Sequence, residues 1–175
     1  MQSWRNTLLN SGDKRKLAVF TALTLLWMIV IFLFSAQPSE ESYKTSDLVL
    51  AFQQKYFDTF FDKLTPIIIR KAAHMAEFGL LAMLYLAVLK SGGDAFFKRK
   101  TKINHYLISL MAASLYAFTD ELHQFFVPGR NATVLDWLFD SFGALAVLWI
   151  VHTISAKIKK RNQQEEFSLE KRTKI

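Results

Sequence analysis

Apolar and charged positions alternate in blocks along this chain rather than residue by residue. Leu17 to Phe34 is a run of 18 positions without a charge, close to the roughly 20 residues an α-helix needs to cross a hydrocarbon core of about 30 Å. Ile67 to Leu89 is a second block, apolar except for Arg70, Lys71, His74 and Glu77 near its start. Tyr106 to Phe126 is a third, with its polar residues gathered from Asp120 onward, and Leu135 to Ile154 is a fourth, opening with Asp136 and Asp140. The pattern predicts an all-α protein, a four-helix transmembrane bundle. No internal repeat is evident.

The connections carry their own patterns. Lys14-Arg15-Lys16 before the first block and Ser35-Ala36-Gln37 after it could flank a cleaved signal peptide. Signal cores usually run only about 7 to 15 apolar residues, so a retained anchor is expected. From Leu48 the next connection places Leu48, Phe52, Tyr56, Phe60 and Leu64 at spacing four, with Asp47, Gln54, Asp58 and Asp62 on other faces. That spacing predicts an extracytoplasmic amphipathic helix lying at the interface between helices 1 and 2. Ser91-Gly92-Gly93 to Lys102 and residues 155–175 read as solvated basic segments touching anionic lipid. The expected domains are an N-terminus of residues 1–16, a membrane domain of 17–154 and a tail of 155–175.

Composition explains how membrane and charge coexist: 51% of residues are hydrophobic, 21% are charged, and the net charge is +7. Residues 1–16 hold four basic and one acidic residue, residues 90–105 five and one, and the tail seven and three, against three and five in residues 35–65. Basic flanks stay on the cytoplasmic side, so both termini are expected inside the cytoplasmic membrane. The absence of cysteine removes disulfides, thiol catalysis and thiolate metal sites.

This topology brings the charges embedded in the apolar blocks into one half of the membrane. Ionisable groups there cost roughly 2.5 to 3.5 kcal/mol each, so they need partners and point to a function. Arg70, His74 and Glu77 share a helical face, with Lys71 turned about 100° away. Asp120, His123 and Gln124 share another, and Asp136, Asp140 and Gly143 a third, where the glycine would admit a close neighbour. His74, Glu77, Asp120 and His123 are candidates for moving protons. Arg70, Glu121, Gln124, Arg130, Asp136 and Asp140 are candidates for binding a substrate, with arginine forks suited to phosphate or carboxylate oxygens. Between helices 3 and 4, Pro128-Gly129 signals a type II turn that displays Arg130, and Thr133 is placed to cap helix 4. His105 and His152 lie near the other ends, outside the stripes.

Two other readings compete with a substrate pocket. His74 with Glu77 and Asp120 with His123 are His/carboxylate pairs at the spacing of bundle metal sites. Oxygen and imidazole ligands would suit zinc, manganese or magnesium, but Arg70, Lys71 and Arg130 are poor company for a cation. Alternatively the charges pair only with one another. Interhelical polar contacts in lipid average about 0.6 kcal/mol, which makes so many of them an expensive way to pack helices.

Three stretches resemble the VanZ-like family of small bacterial membrane proteins. They are Phe34-Ser35-Ala36-Gln37, Arg70-Lys71-Ala72-Ala73-His74-Met75-Ala76-Glu77-Phe78, and the long Asp120-Glu121-Leu122-His123-Gln124-Phe125-Phe126-Val127-Pro128-Gly129-Arg130, followed by Asp136 and Asp140. Met75 and Phe78 stand where that family carries Phe and Tyr, which leaves the charged set intact. The resemblance implies a membrane protein whose named relative confers low-level teicoplanin resistance. Expected partners are membrane lipid and a lipid-linked cell-wall precursor, with no nucleic acid. The residues leave three functions open: a binder of an anionic or lipid-linked envelope substrate, a membrane-embedded hydrolase or transferase acting on such a lipid, and a transporter. The last has least support, because the cytoplasmic halves lack polar stripes and no span is broken in mirrored positions.

Overall fold

The computed structural model describes residues 11–37, 65–96 and 104–173. These fold into four helices: α1 (Ser11–Ser35), α2 (Thr65–Phe96), α3 (His105–Gln124) and α4 (Val134–Thr173). The amphipathic helix expected from Leu48 to Leu64 lies outside the described residues. α1, α2 and α4 each contain a stretch long and apolar enough to cross a membrane: Gly12–Ser35, Arg70–Gly92 and Val134–Lys171. α3, expected as a fourth span, is not among them. At about 1.5 Å per residue its 20 residues reach roughly 30 Å. Length is therefore sufficient, and the polarity of its last turns is what sets it apart.

The helices run alternately up and down. Ser35 at the end of α1 bonds Asp120 near the end of α3, and Lys71 near the start of α2 pairs with Asp136 near the start of α4. At the far end Gly92 of α2 lies against Leu17 of α1, where a Cβ would come within 2.7 Å of Leu17 Cδ2. α2 is the central helix, touching all three others and α4 most extensively.

Small residues explain the close parallel packing of α2 on α4. A Cβ on Gly143 would fall on the Met75 backbone, and one on Gly79 would come within 2.5 Å of Val147 Cγ2. In lipid, where apolar surfaces gain nothing by leaving water, such close backbone approach is what drives helix association. Two apolar layers follow along the bundle. Ile31, Phe78, Leu81 and Ala117 form one, and Ala82, Leu86, Ala113, Ala144 and Leu148 the other. Polar side chains bridge the helices between them: Trp27 Nε1 donates to the Glu77 carbonyl at 3.0 Å, Tyr116 OH to the Met28 carbonyl at 2.7 Å, and Trp137 Nε1 to the Ser114 carbonyl at 3.0 Å. Leu25, Leu26, Ile29 and Leu33 of α1 remain exposed, an apolar face that suits lipid.

Two helices extend beyond the spans expected from the sequence. Ser91-Gly92-Gly93, read as the start of a basic loop, continues α2 to Phe96, with Gly92 accommodating Leu17. The tail read as a solvated segment is exposed, and it continues α4 as a helix to Thr173. It contains no proline or glycine to stop it, and Arg161 and Glu165 pair at i,i+4 with 3.6 Å between them.

Candidate functional site

The polar end of the bundle is organised by the turn after α3. The Arg130 N–H donates to the Val127 carbonyl at 3.2 Å, and Gly129 between them has φ 76°. Pro128 followed by a positive-φ glycine is the combination a type II turn requires. The turn delivers the Arg130 guanidinium to three acceptors, each at 3.1 Å: Nε to the Gln37 carbonyl, Nη2 to the Phe34 carbonyl and Nη1 to Gln124 Oε1. Phe34 lies in the last turn of α1, where carbonyls have no partner within the helix. Arg130 thus closes the end of α1 while holding α3.

Gln124 passes this connection inward. Its Nε2 donates to Asp120 Oδ2 at 2.7 Å, and Ser35 Oγ donates to the same oxygen at 2.7 Å. Asp120 is buried beneath this arrangement. Burial and the charge of Arg70 pull the Arg130 pKa down from its usual value, whereas Asp120, Glu121 and Glu77 oppose that shift. Arginine stays protonated regardless.

A second set of bonds starts α4. Thr133 Oγ1 accepts the Asp136 N–H at 3.1 Å and donates to Asp136 Oδ2 at 2.7 Å, while the Thr133 N–H donates to Glu121 Oε2 at 3.1 Å. This is the helix cap expected at Thr133, extended by a carboxylate from α3. Asp136 also forms an ion pair with Lys71, whose ammonium lies 4.8 Å from the Phe139 ring centroid. Lys71 was expected off the stripe. The structure puts it at the site, because α4 enters beside the face of α2 that carries Lys71.

Between these two bonded sets lies a cavity of about 200 Å³. Arg70, Lys71 and His74 of α2, Glu121 and Gln124 of α3, Arg130 and Thr133 of the loop, and Asp136, Phe139 and Asp140 of α4 line it. Asp140 is 2% exposed. Unlike Asp120, it has no hydrogen-bond partner among the described residues.

Seven sequence candidates therefore share this cavity: Arg70, His74, Glu121, Gln124, Arg130, Asp136 and Asp140. Glu77, Asp120 and His123 do not line it. Glu77 Oε2 lies 3.4 Å from His74 Nδ1, an ion-pair distance without hydrogen-bond geometry. The His123 ring sits against Phe32 of α1, centroids 4.5 Å apart, with Nε2 buried and without a hydrogen-bond partner among the described residues. No group of three or more His, Asp or Glu side chains among the described residues is arranged to hold a metal ion. His152 packs on Tyr106 at the other end of the bundle.

Sequence reasoning missed three contributors to this end of the molecule: Lys71, Ser35 and the Gln37 carbonyl. Ser35 and Gln37 stood in the first motif, yet nothing in their local pattern named Asp120 or Arg130 as partners.

Apolar helices packed through glycines, with a charged cavity sunk into one end of the bundle, define a small helical membrane protein of single-domain size. Residues 20–155 match the VanZ/LLP1 family, and the chain belongs to it. No curated protein and no solved structure matches the chain.

Proposed function

We propose that this VanZ-type membrane protein binds the anionic headgroup of an envelope lipid in the cavity between α2, α3 and α4. The observation that carries the reading is the cavity's mixed lining, in which Arg70, Lys71 and Arg130 face Glu121, Asp136 and Asp140 around His74. Guanidinium and ammonium groups supply donors for phosphate oxygens, and a site inside a bundle removes the competition of water. The lysine and arginine distribution orients the cavity toward the exterior, with both termini in the cytoplasm of a bacterial cell. An outward site of this kind would hold the phosphate of an envelope lipid on the face of the membrane where the glycopeptides resisted by the family's namesake act.

Mild extraction from the host membrane followed by native mass spectrometry tests the binding. A phosphate-bearing lipid is expected to travel with the protein and to be lost from Arg70→Gln. Recovery of the protein free of lipid, or with neutral lipid alone, would remove the reading. For orientation, a cysteine at Asn131 is expected to react with an impermeant maleimide in intact cells, and one at Gly93 to stay unlabelled.

A membrane-embedded hydrolase or transferase is the second reading, and one observation favours it. His74 lines the cavity while its Nδ1 is buried beside Glu77. An imidazole between a carboxylate and a bound substrate is equipped for general acid–base work. Turnover of an envelope lipid that disappears in His74→Gln, with binding intact, would separate this reading from simple binding.

A further inference from the structure

Beside the polar cavity lies an apolar groove of about 250 Å³. Phe118 and Leu122 of α3 form one side and Val134 and Trp137 of α4 the other, while Glu121 and Thr133 line both the groove and the cavity. The two openings therefore share a wall, the Glu121 carboxylate bonded to the Thr133 N–H at 3.1 Å. Phe118, Leu122 and Val134 are exposed, so the groove opens onto the surface that faces lipid.

The cavity limits what a headgroup can be. At about 200 Å³ it is smaller than the roughly 300 to 1,000 Å³ typical of sites for drug-sized ligands. A disaccharide-peptide headgroup is too large to enter, whereas a phosphate fits. The lining asks for more than negative charge. Arg70, Lys71 and Arg130 offer donors, while Asp140, which lines the cavity with no hydrogen bond to a described residue, can accept one. A singly protonated phosphate monoester satisfies both demands, with oxygens for the cations and one O–H for Asp140. A phosphodiester lacks that O–H.

We propose that cavity and groove form one two-part site for a lipid whose headgroup is a phosphate monoester and whose hydrocarbon chain lies between α3 and α4. The proposal rests on the reading of the cavity as an anionic headgroup site and adds the headgroup class and the path of the chain. Lipid tails are as apolar as the groove, so the groove contributes little affinity of its own. Its role is to let a lipid enter sideways from the membrane while the cavity selects the headgroup. A soluble phosphate has no use for it.

Trp137 reports on the groove. The full chain is placed in phosphatidylcholine vesicles, and phosphatidic acid with brominated chains is added as the probe. Subtracting the emission of Trp137→Phe isolates Trp137. Quenching is expected to saturate at low mole fraction and to be reversed by unbrominated phosphatidic acid. Brominated phosphatidylglycerol, a diester, is expected to need about tenfold more, the worth of one charge-assisted hydrogen bond. Since Trp137→Phe removes the bond to Ser114, Leu122→Trp at the exposed lip of the groove, made in the parent chain and read by subtracting the parent's emission, serves as a second reporter.

Retention of phosphatidic acid by the purified protein with both reporters unquenched would overturn the groove and leave the headgroup reading standing. Equal potency of phosphatidylglycerol would overturn the monoester. Displacement by an equal concentration of inorganic phosphate would overturn the lipid. Absence of both retention and quenching would remove the headgroup reading itself.

Discussion

Two polar assemblies sit at the same end of this bundle, built from the same kinds of side chain, and they are finished to different degrees. In the one formed by Ser35, Asp120, Gln124 and Arg130, bonds of 2.7 to 3.1 Å link the side chains to one another and to the end of α1. In the other, around the cavity, Asp140 is as buried as Asp120 yet has no hydrogen-bond partner among the described residues, and His74 faces open space beside Glu77. Breaking into the first assembly strands buried groups, which is costly. The second already contains such a group. His74 Nδ1 is buried without a hydrogen-bond partner among the described residues; such a group is maintained at the expense of stability, and a ligand is the simplest reason to maintain it.

Arg130→Ala should have the largest effect, because it takes the donor from the Gln37 carbonyl and Gln124 Oε1 and one of two donors from the Phe34 carbonyl, which also accepts from the Gln37 N–H. A loss of about 3 to 5 kcal/mol is expected, seen as a large fall in apparent Tm of the detergent-purified protein. An unchanged Tm would dissolve the contrast between the two assemblies. Asp120→Ala should follow, at about 2 to 3 kcal/mol, since Ser35 Oγ and Gln124 Nε2 lose a common acceptor.

Asp140→Asn should separate the assemblies most sharply. It keeps the volume and removes a buried carboxyl group that bonds no described residue, so stability should stay within about 1 kcal/mol of the parent or rise. Retention of a phosphate-bearing lipid, followed by native mass spectrometry, should nevertheless drop about tenfold with the loss of one charge-assisted contact. A large fall in Tm would instead assign Asp140 to the scaffold. His152→Ala, at the opposite end and exposed, should be the mildest, within about 0.5 kcal/mol by the same unfolding measurement.

The second of the two assemblies was the easier to find in the sequence. Its members are charges set in apolar blocks at helical spacing, and each stands out locally because lipid makes it expensive. The first depends on partners far apart in the chain. Ser35 and Asp120 are 85 positions apart, and Arg130 reaches Phe34 across 96. Neither distance leaves a trace in a helical window. The turn that aims Arg130 was readable, since Pro-Gly specifies its own geometry, but its acceptors were not. Lys71 was misjudged for a related reason: rotation about α2 was known to 100° per residue, but which neighbour that rotation would meet was not.

Block length and charge-free runs by themselves determined the helical, membrane-suited character of this protein, because crossing hydrocarbon requires a minimum length and forbids lone charges. The 3.6-residue period determined which polar side chains share a face of one helix. Only the tertiary structure decided which faces meet. The approach of Gly143 to the Met75 backbone sets α4 against α2, and that contact brings Asp136 to Lys71 and places Asp140 at the cavity beside His74. The Glu77 backbone carbonyl accepts from Trp27 of α1 and His123 sits against Phe32 of α1, so members of the same stripes fall behind the cavity wall. The physical reason is that helix periodicity is a local property of the backbone, whereas the match between stripes depends on crossing geometry. That geometry is set by the closest small-residue contact, not by the stripes themselves.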